Sequence, residues 1–112
     1  MDETETARYR KRLQALRAGL DEEEALGAEG QRVVTLDQQS VGRLARMDAL
    51  QHQAMAKAQG ARRAAARARI NAALRRIAEG EYGYCLDCGE VLEASRLESD
   101  PSVPRCLDCT RG

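Results

Sequence analysis

Two C-x-x-C pairs, Cys85-Leu86-Asp87-Cys88 and Cys106-Leu107-Asp108-Cys109, stand 17 residues apart in this sequence. They constrain the fold more than any other feature, because this is the spacing of a four-thiolate zinc site. Each pair sets two thiolates at the corner of a tight turn, and two such corners complete a tetrahedron. Gly89, directly after the first pair, supplies the positive φ that such a knuckle often needs. Two disulfides or a redox C-x-x-C are the competing readings. The sequence opens without a signal peptide, so a reducing, cytoplasmic setting is expected, and no βαβ pattern is present to host a thioredoxin-type motif. Four thiolates close the coordination shell and leave no position for water. Cys85, Cys88, Cys106 and Cys109 are therefore read as ligands of a structural Zn2+.

A metal is useful to this chain because its core chemistry is poor. In 112 residues it has no Trp, no Phe and three Tyr, and much of its apolar content is Ala, so zinc and helix pairing must compensate. No apolar run approaches the roughly 20 residues that span a bilayer. The net charge of zero conceals an uneven distribution. Residues 1–30 hold eight acidic and five basic side chains, 42–80 hold two acidic and nine basic, and 81–112 hold seven acidic and three basic. The middle segment could bind a polyanion, or the segments could attract one another.

The fold class that follows is mainly α: a long antiparallel coiled-coil helical hairpin over residues 1–80 with a small four-cysteine lobe over 81–112. Helix is expected at about 3–26, where Tyr9, Leu13, Leu16 and Leu20 line one face and Asp2 with Glu5 forms an N-terminal cap. The acidic cluster Asp21 to Glu24 opposes the helix dipole, and Gly27 and Gly30 mark the stop. A tip is expected at about 27–40, with Thr35 or Ser40 capping a second helix at about 41–79. In that helix Val41, Leu44, Met47 or Asp48, Gln51, Met55 and Ala58 approximate a heptad seam, with Ile70, Leu74 and Ile77 resuming an apolar face. Met47 and Met55 are read as seam packing. A tip near residue 33 places Tyr9 beside about residue 58 and leaves Ile70, Leu74 and Ile77 to be covered by Val91, Leu92 and Leu97, with Tyr82 or Tyr84 closing the junction. Gly80 ends the long helix.

The series Gly83-Tyr84-Cys85, Cys88-Gly89, Arg96-Leu97-Glu98, Pro101 and Cys106-Leu107-Asp108-Cys109 resembles the DksA/TraR family of bacterial C4-type zinc-finger transcription regulators, and Tyr9-Arg10-Lys11-Arg12-Leu13 with Leu16 and Leu20 looks like the family's first coiled-coil helix. The chain is similar to a short member lacking the C-terminal helix. The resemblance implies a cytoplasmic regulator, not an enzyme, that binds RNA polymerase and inserts its coiled coil into the secondary channel to modulate initiation. It also implies a monomer without sequence-specific DNA binding. Longer members carry D-x-x-D-x-A at the tip. The nearest match here is Asp37-Gln38-Gln39-Ser40-Val41-Gly42, which keeps only the first acid, so Asp37 and Asp48 are the tip effector candidates. Some members bind the alarmone ppGpp through basic residues of the second helix. Those positions fall on Arg62 and Arg69, seven apart and on one face, with guanidinium groups suited to phosphate.

Two other functions fit the residues. A nucleic-acid-binding zinc module would use Arg62, Arg63, Arg67, Arg69, Arg75 and Arg76 on phosphates, although the acidic C-terminal segment and the lack of stacking aromatics weigh against it. An adaptor would pair its coiled coil with another copy. No nucleophile and base, open metal site or phosphate-cradling loop is visible.

Overall fold

A computed structural model describes residues 1–36 and 42–111, in the order α1 (Glu3–Leu36), α2 (Arg43–Glu79), α3 (Ala94–Ser99) and α4 (Leu107–Arg111). α1 and α2 form the helical hairpin, and the four cysteines follow in the lobe after it. The cap at the start of α1 is the one the sequence implies. Asp2 Oδ1 accepts the Glu5 amide at 2.8 Å, which satisfies one of the free donors of the first turn, and the Asp2 carbonyl accepts the Thr6 amide at 3.1 Å as the first regular helix bond. α2 ends at Gly80, with φ 75°. The Gly80 amide donates to Ile77 O and the Glu81 amide to Arg76 O, the paired bonds of a glycine-terminated helix.

The chain divides into two compact units, Met1–Ala18 with Arg67–Gly112, and Gly19–Ala66. In the first, the start of α1 runs against the end of α2. Arg17 donates to Asn71 Oδ1 at 2.9 Å, and Thr6 and Ala7 share a groove with Ile77 and Gly80. Tyr9, Leu13, Ile70, Ala73, Ile77, Tyr82, Leu92, Leu97 and Val103 are buried together there. In the second, the two helices are joined across Glu24 and Arg63, whose Nε lies 3.0 Å from the carboxylate.

Four expectations need correction. α1 does not stop near residue 26 but runs to Leu36. A helical glycine costs only about 1 kcal/mol, and Ala28, Glu29, Gln31 and Arg32 around Gly27 and Gly30 are good helix formers, so these glycines do not terminate it. The expected tip at 27–40 is thus helical as far as Leu36, with Thr35 inside α1, and α2 starts at Arg43; Ser40 lies outside the described residues. The register differs accordingly: Tyr9 meets Tyr82, with ring centroids 5.7 Å apart, and not residue 58. The seam of α2 is also out of phase with the expected one. Its sheltered positions are Ala49, Gln53, Ala56, Gly60, Arg63 and Ala66, whereas Leu44, Met47, Gln51, Met55 and Ala58 are exposed. Ile70, Ile77, Leu92, Leu97 and Tyr82 are buried as expected. Leu74 is only half-buried, Val91 and Tyr84 are exposed, and α1 itself contributes Tyr9 and Leu13 to that core.

Candidate metal centre

The two C-x-x-C pairs are shaped by local backbone bonds. Gly83 and Gly89 sit at φ 97° and 77°, a region that L side chains rarely enter. Between them the chain doubles back through one antiparallel bridge, Tyr84 with Val91. The Cys85 amide donates to Glu90 O at 2.8 Å, and the Gly89 amide returns to Cys85 O at 3.0 Å, which closes the first knuckle. The second knuckle opens α4, where the Thr110 amide donates to Cys106 O at 3.0 Å. Two links join the knuckles: Leu86 donates through its amide to Pro104 O at 2.9 Å, and Arg105 Nε donates to Asp87 Oδ2 at 2.8 Å.

The result brings Cys85, Cys88, Cys106 and Cys109 together with all four Sγ atoms within 4.8 Å of one another. Cys88 and Cys106 Sγ lie 3.7 Å apart, and all four thiols are free of disulfides. A zinc ion bound at about 2.3 Å by four sulfurs requires tetrahedron edges of roughly 3.8 Å, so the donor set fits a tetrahedral metal of thiophilic character. The electrostatics agree. The Cys88 and Cys106 amides hold the Cys85 thiol down to about 6, while the neighbouring Cys106 and Cys85 sulfurs push the Cys109 thiol up. Sulfurs at this spacing resist sharing negative charge unless a cation lies among them. With four ligands the shell is closed, so a metal here would act on folding.

The lobe is fastened to α1 by a set of contacts that sequence reasoning did not find. Glu98 of α3 pairs with Arg8, accepts from Tyr9 Oη at 2.9 Å, and lies 3.3 Å from Arg12 Nη1 through its second oxygen. Arg12 also donates to the Glu98 carbonyl at 2.8 Å. The guanidinium of Arg8 lies 4.6 Å from the centre of the Tyr9 ring, so the ring is held by a cation as well as by its hydroxyl. Arg8 and Tyr9 together hold the Glu98 carboxyl down to about 2. Arg96, two residues earlier, binds the second knuckle through Arg105 O at 2.9 Å and Thr110 Oγ1 at 3.1 Å. Burial pushes the Tyr82 hydroxyl up to about 12, and that hydroxyl donates to Pro101 O at 2.6 Å. The signal was present in part: Arg96-Leu97-Glu98 stood out as a motif, and Arg8 and Arg12, four apart, share one helix face.

The remaining sequence candidates fall elsewhere. Asp37 lies outside the described residues. Asp48 is exposed on α2 and is not a seam residue, and His52 is exposed on the same helix. Arg62 is exposed beside a groove lined by Glu23, Leu26, Gly27, Gln59 and Arg63. Arg69 is exposed in the other unit.

A helical hairpin joined to a four-cysteine lobe defines the class of protein, and the comparisons give its relatives. No family model matches the chain. It is 39% identical over 41 residues to an RNA polymerase-binding transcription factor DksA of Haemophilus influenzae, covering 37% of this chain and 28% of that protein. The protein of the same description from Caulobacter vibrioides is 46% identical over 40 residues, covering 36% of this chain and 28% of the relative. The matches thus span little more than a quarter of the curated relatives' length. Transcription factor DksA2 from Pseudomonas aeruginosa shares the fold, with a TM-score of 0.85 over 99% of this chain and 84% of that one at 22% identity. The chain thus shares the fold of a DksA2 protein and, over about 40 residues, matches in sequence proteins described as RNA polymerase-binding transcription factor DksA. Among the described residues no helix is long and apolar enough to cross a membrane.

Proposed function

We propose that this protein regulates transcription by binding RNA polymerase, inserting its helical hairpin into the secondary channel, with the lobe of residues 81–112, its fold held together by structural zinc, sitting at the rim. The observation that carries the proposal is the combination of a DksA2-like fold over 99% of the chain with sequence matches to proteins described as RNA polymerase-binding transcription factors. A pair of helices suits such a partner because it can enter a pore that excludes a globular domain. Zinc is the metal the thiolate set favours, held by Cys85, Cys88, Cys106 and Cys109. Regulation needs no chemistry from the protein itself.

Within this function Asp37 and Asp48 are assigned as the acids that act at the polymerase active centre, and Arg62 and Arg69 as the cations offered to ppGpp. The protein works as a cytoplasmic monomer without reading DNA sequence. Retention of core RNA polymerase by the immobilised protein, followed by transcription from a ribosomal RNA promoter with and without ppGpp, tests the proposal. Binding together with altered promoter output is expected. Absence of both, with salt-sensitive binding to random DNA in their place, would favour the nucleic-acid module built on the Arg-rich second helix.

A further inference from the structure

Within the unit Gly19–Ala66, α2 carries its large apolar side chains on the outside. Ala49, Gln53, Ala56 and Gly60 shelter against the partner helix, while Leu44 is 80% exposed, Met47 58%, Leu50 55% and Met55 55%. At about 100° per residue the exposed set, bridged by Ala54 and Gln51, centres roughly 180° from the sheltered set. It is therefore a continuous second face of α2 and not a frayed edge of the seam. Leaving large aliphatic groups in water while small ones occupy the helix contact forgoes burial, and a stripe of this kind marks a docking surface.

Two observations say what covers it. Four side chains supply only a fraction of the roughly 800 Å² per partner that a stable stand-alone interface needs, so the stripe suits one contact within a larger complex better than a dimer of this chain. Along α2 its neighbours are basic: Arg43, Arg46 and Lys57 flank it against Asp48, so a complementary surface is apolar with an acidic border. We infer that Leu44, Met47, Leu50 and Met55 form a hydrophobic contact face of α2 for RNA polymerase, seated on an acid-rimmed apolar surface of that enzyme. The inference rests on the polymerase-binding reading and adds to it the face that touches. The methionines suit the task, since their flexible thioethers adapt to an irregular partner.

The test compares the full-length, zinc-loaded protein with Met47→Gln/Met55→Gln and Met47→Leu/Met55→Leu, using core RNA polymerase in a binding titration, with circular dichroism and metal content as controls on folding. The Gln pair is expected to bind at least about tenfold more weakly, a loss of about 1.4 kcal/mol, with helicity and zinc unchanged, and the Leu pair is expected to bind like the parent. Binding of the Gln pair within twofold of the parent overturns the contact face while leaving polymerase binding intact. A parent that does not bind polymerase overturns both. Sedimentation showing a dimer of the parent that the Gln pair abolishes would assign the stripe to a second copy and overturn the inference.

Discussion

In the unit made of Met1–Ala18 and Arg67–Gly112, Tyr9, Leu13, Ile70, Ile77, Tyr82, Leu92 and Leu97 are withdrawn from water, whereas among the described residues of Gly19–Ala66 none is fully buried. The first unit brings three pieces of chain to one core: the start of α1, the end of α2 and the cysteine lobe. Among its described residues the second is a pair of helices. Two helices can shelter only a narrow stripe, and here that stripe is Ala49, Gln53, Ala56 and Gly60, which release little free energy on burial. The buried core and the four-cysteine site therefore lie in one unit.

The comparison breaks first at the metal. Cys88→Ser removes one of four thiolates, and because metal-binding energy in such lobes is largely folding energy, the lobe is expected to lose its zinc and its cooperative unfolding. Loss of Leu92 and Leu97 from the shared core should then weaken the docking of Tyr9 and Leu13. Metal analysis together with thermal unfolding checks this, and a mutant that unfolds like the parent would show that the core stands without the metal.

Next in size is a pair of truncations. Leu13, fully buried, should cost about 2–5 kcal/mol on replacement by Ala. Met55→Ala in the second unit should change stability by less than about 0.5 kcal/mol. Denaturant unfolding of both variants checks the contrast, and equal losses would mean that Met55 is covered in solution.

A smaller effect is expected at the Glu98 clasp, which is half exposed. Its folded carboxyl lies at about 2, below the ordinary value of about 4.3. A depressed carboxyl stabilises the fold above its unfolded value, and that contribution is lost as pH falls from about 4.3 toward 2. Glu98→Gln should flatten the decline in melting temperature over this range and lower stability at neutral pH. Added salt should weaken the parent's clasp in the same direction. A variant with the parent's pH profile would remove the clasp from the account.

The smallest effect should come from Gly60→Ala. A Cβ there meets only Arg63 Nη2, at an ordinary 3.7 Å, so the helix-propensity gain of up to about 1 kcal/mol should appear as a raised melting temperature. A fall would mean that the helices approach more closely at Gly60 than the structure shows.

The cysteine centre was legible in the sequence because its geometry is local: two tight knuckles, glycines at 83 and 89, and thiols whose chemistry leaves few other uses. The helical hairpin was legible too, since capping at Asp2 and termination at Gly80 are each encoded within a single turn of sequence. The course of the helices between those points was not. Ala and Arg fill α2 so evenly that two opposite faces both satisfy a heptad, and the more hydrophobic one, with Leu44, Met47 and Met55, is the face left in water. Glycines 27 and 30 looked like a stop because their cost is visible locally, while the Glu24–Arg63 pair that ties this stretch of α1 to α2 is not. The Glu98 clasp joins residues about ninety positions apart, and no periodicity reports such a pairing. Sequence alone therefore determined the four-cysteine cluster and the helical class, both fixed by short-range chemistry. Register, seam and the fastening of lobe to helix were decided by tertiary structure, because they depend on which side chains from distant segments exclude water together.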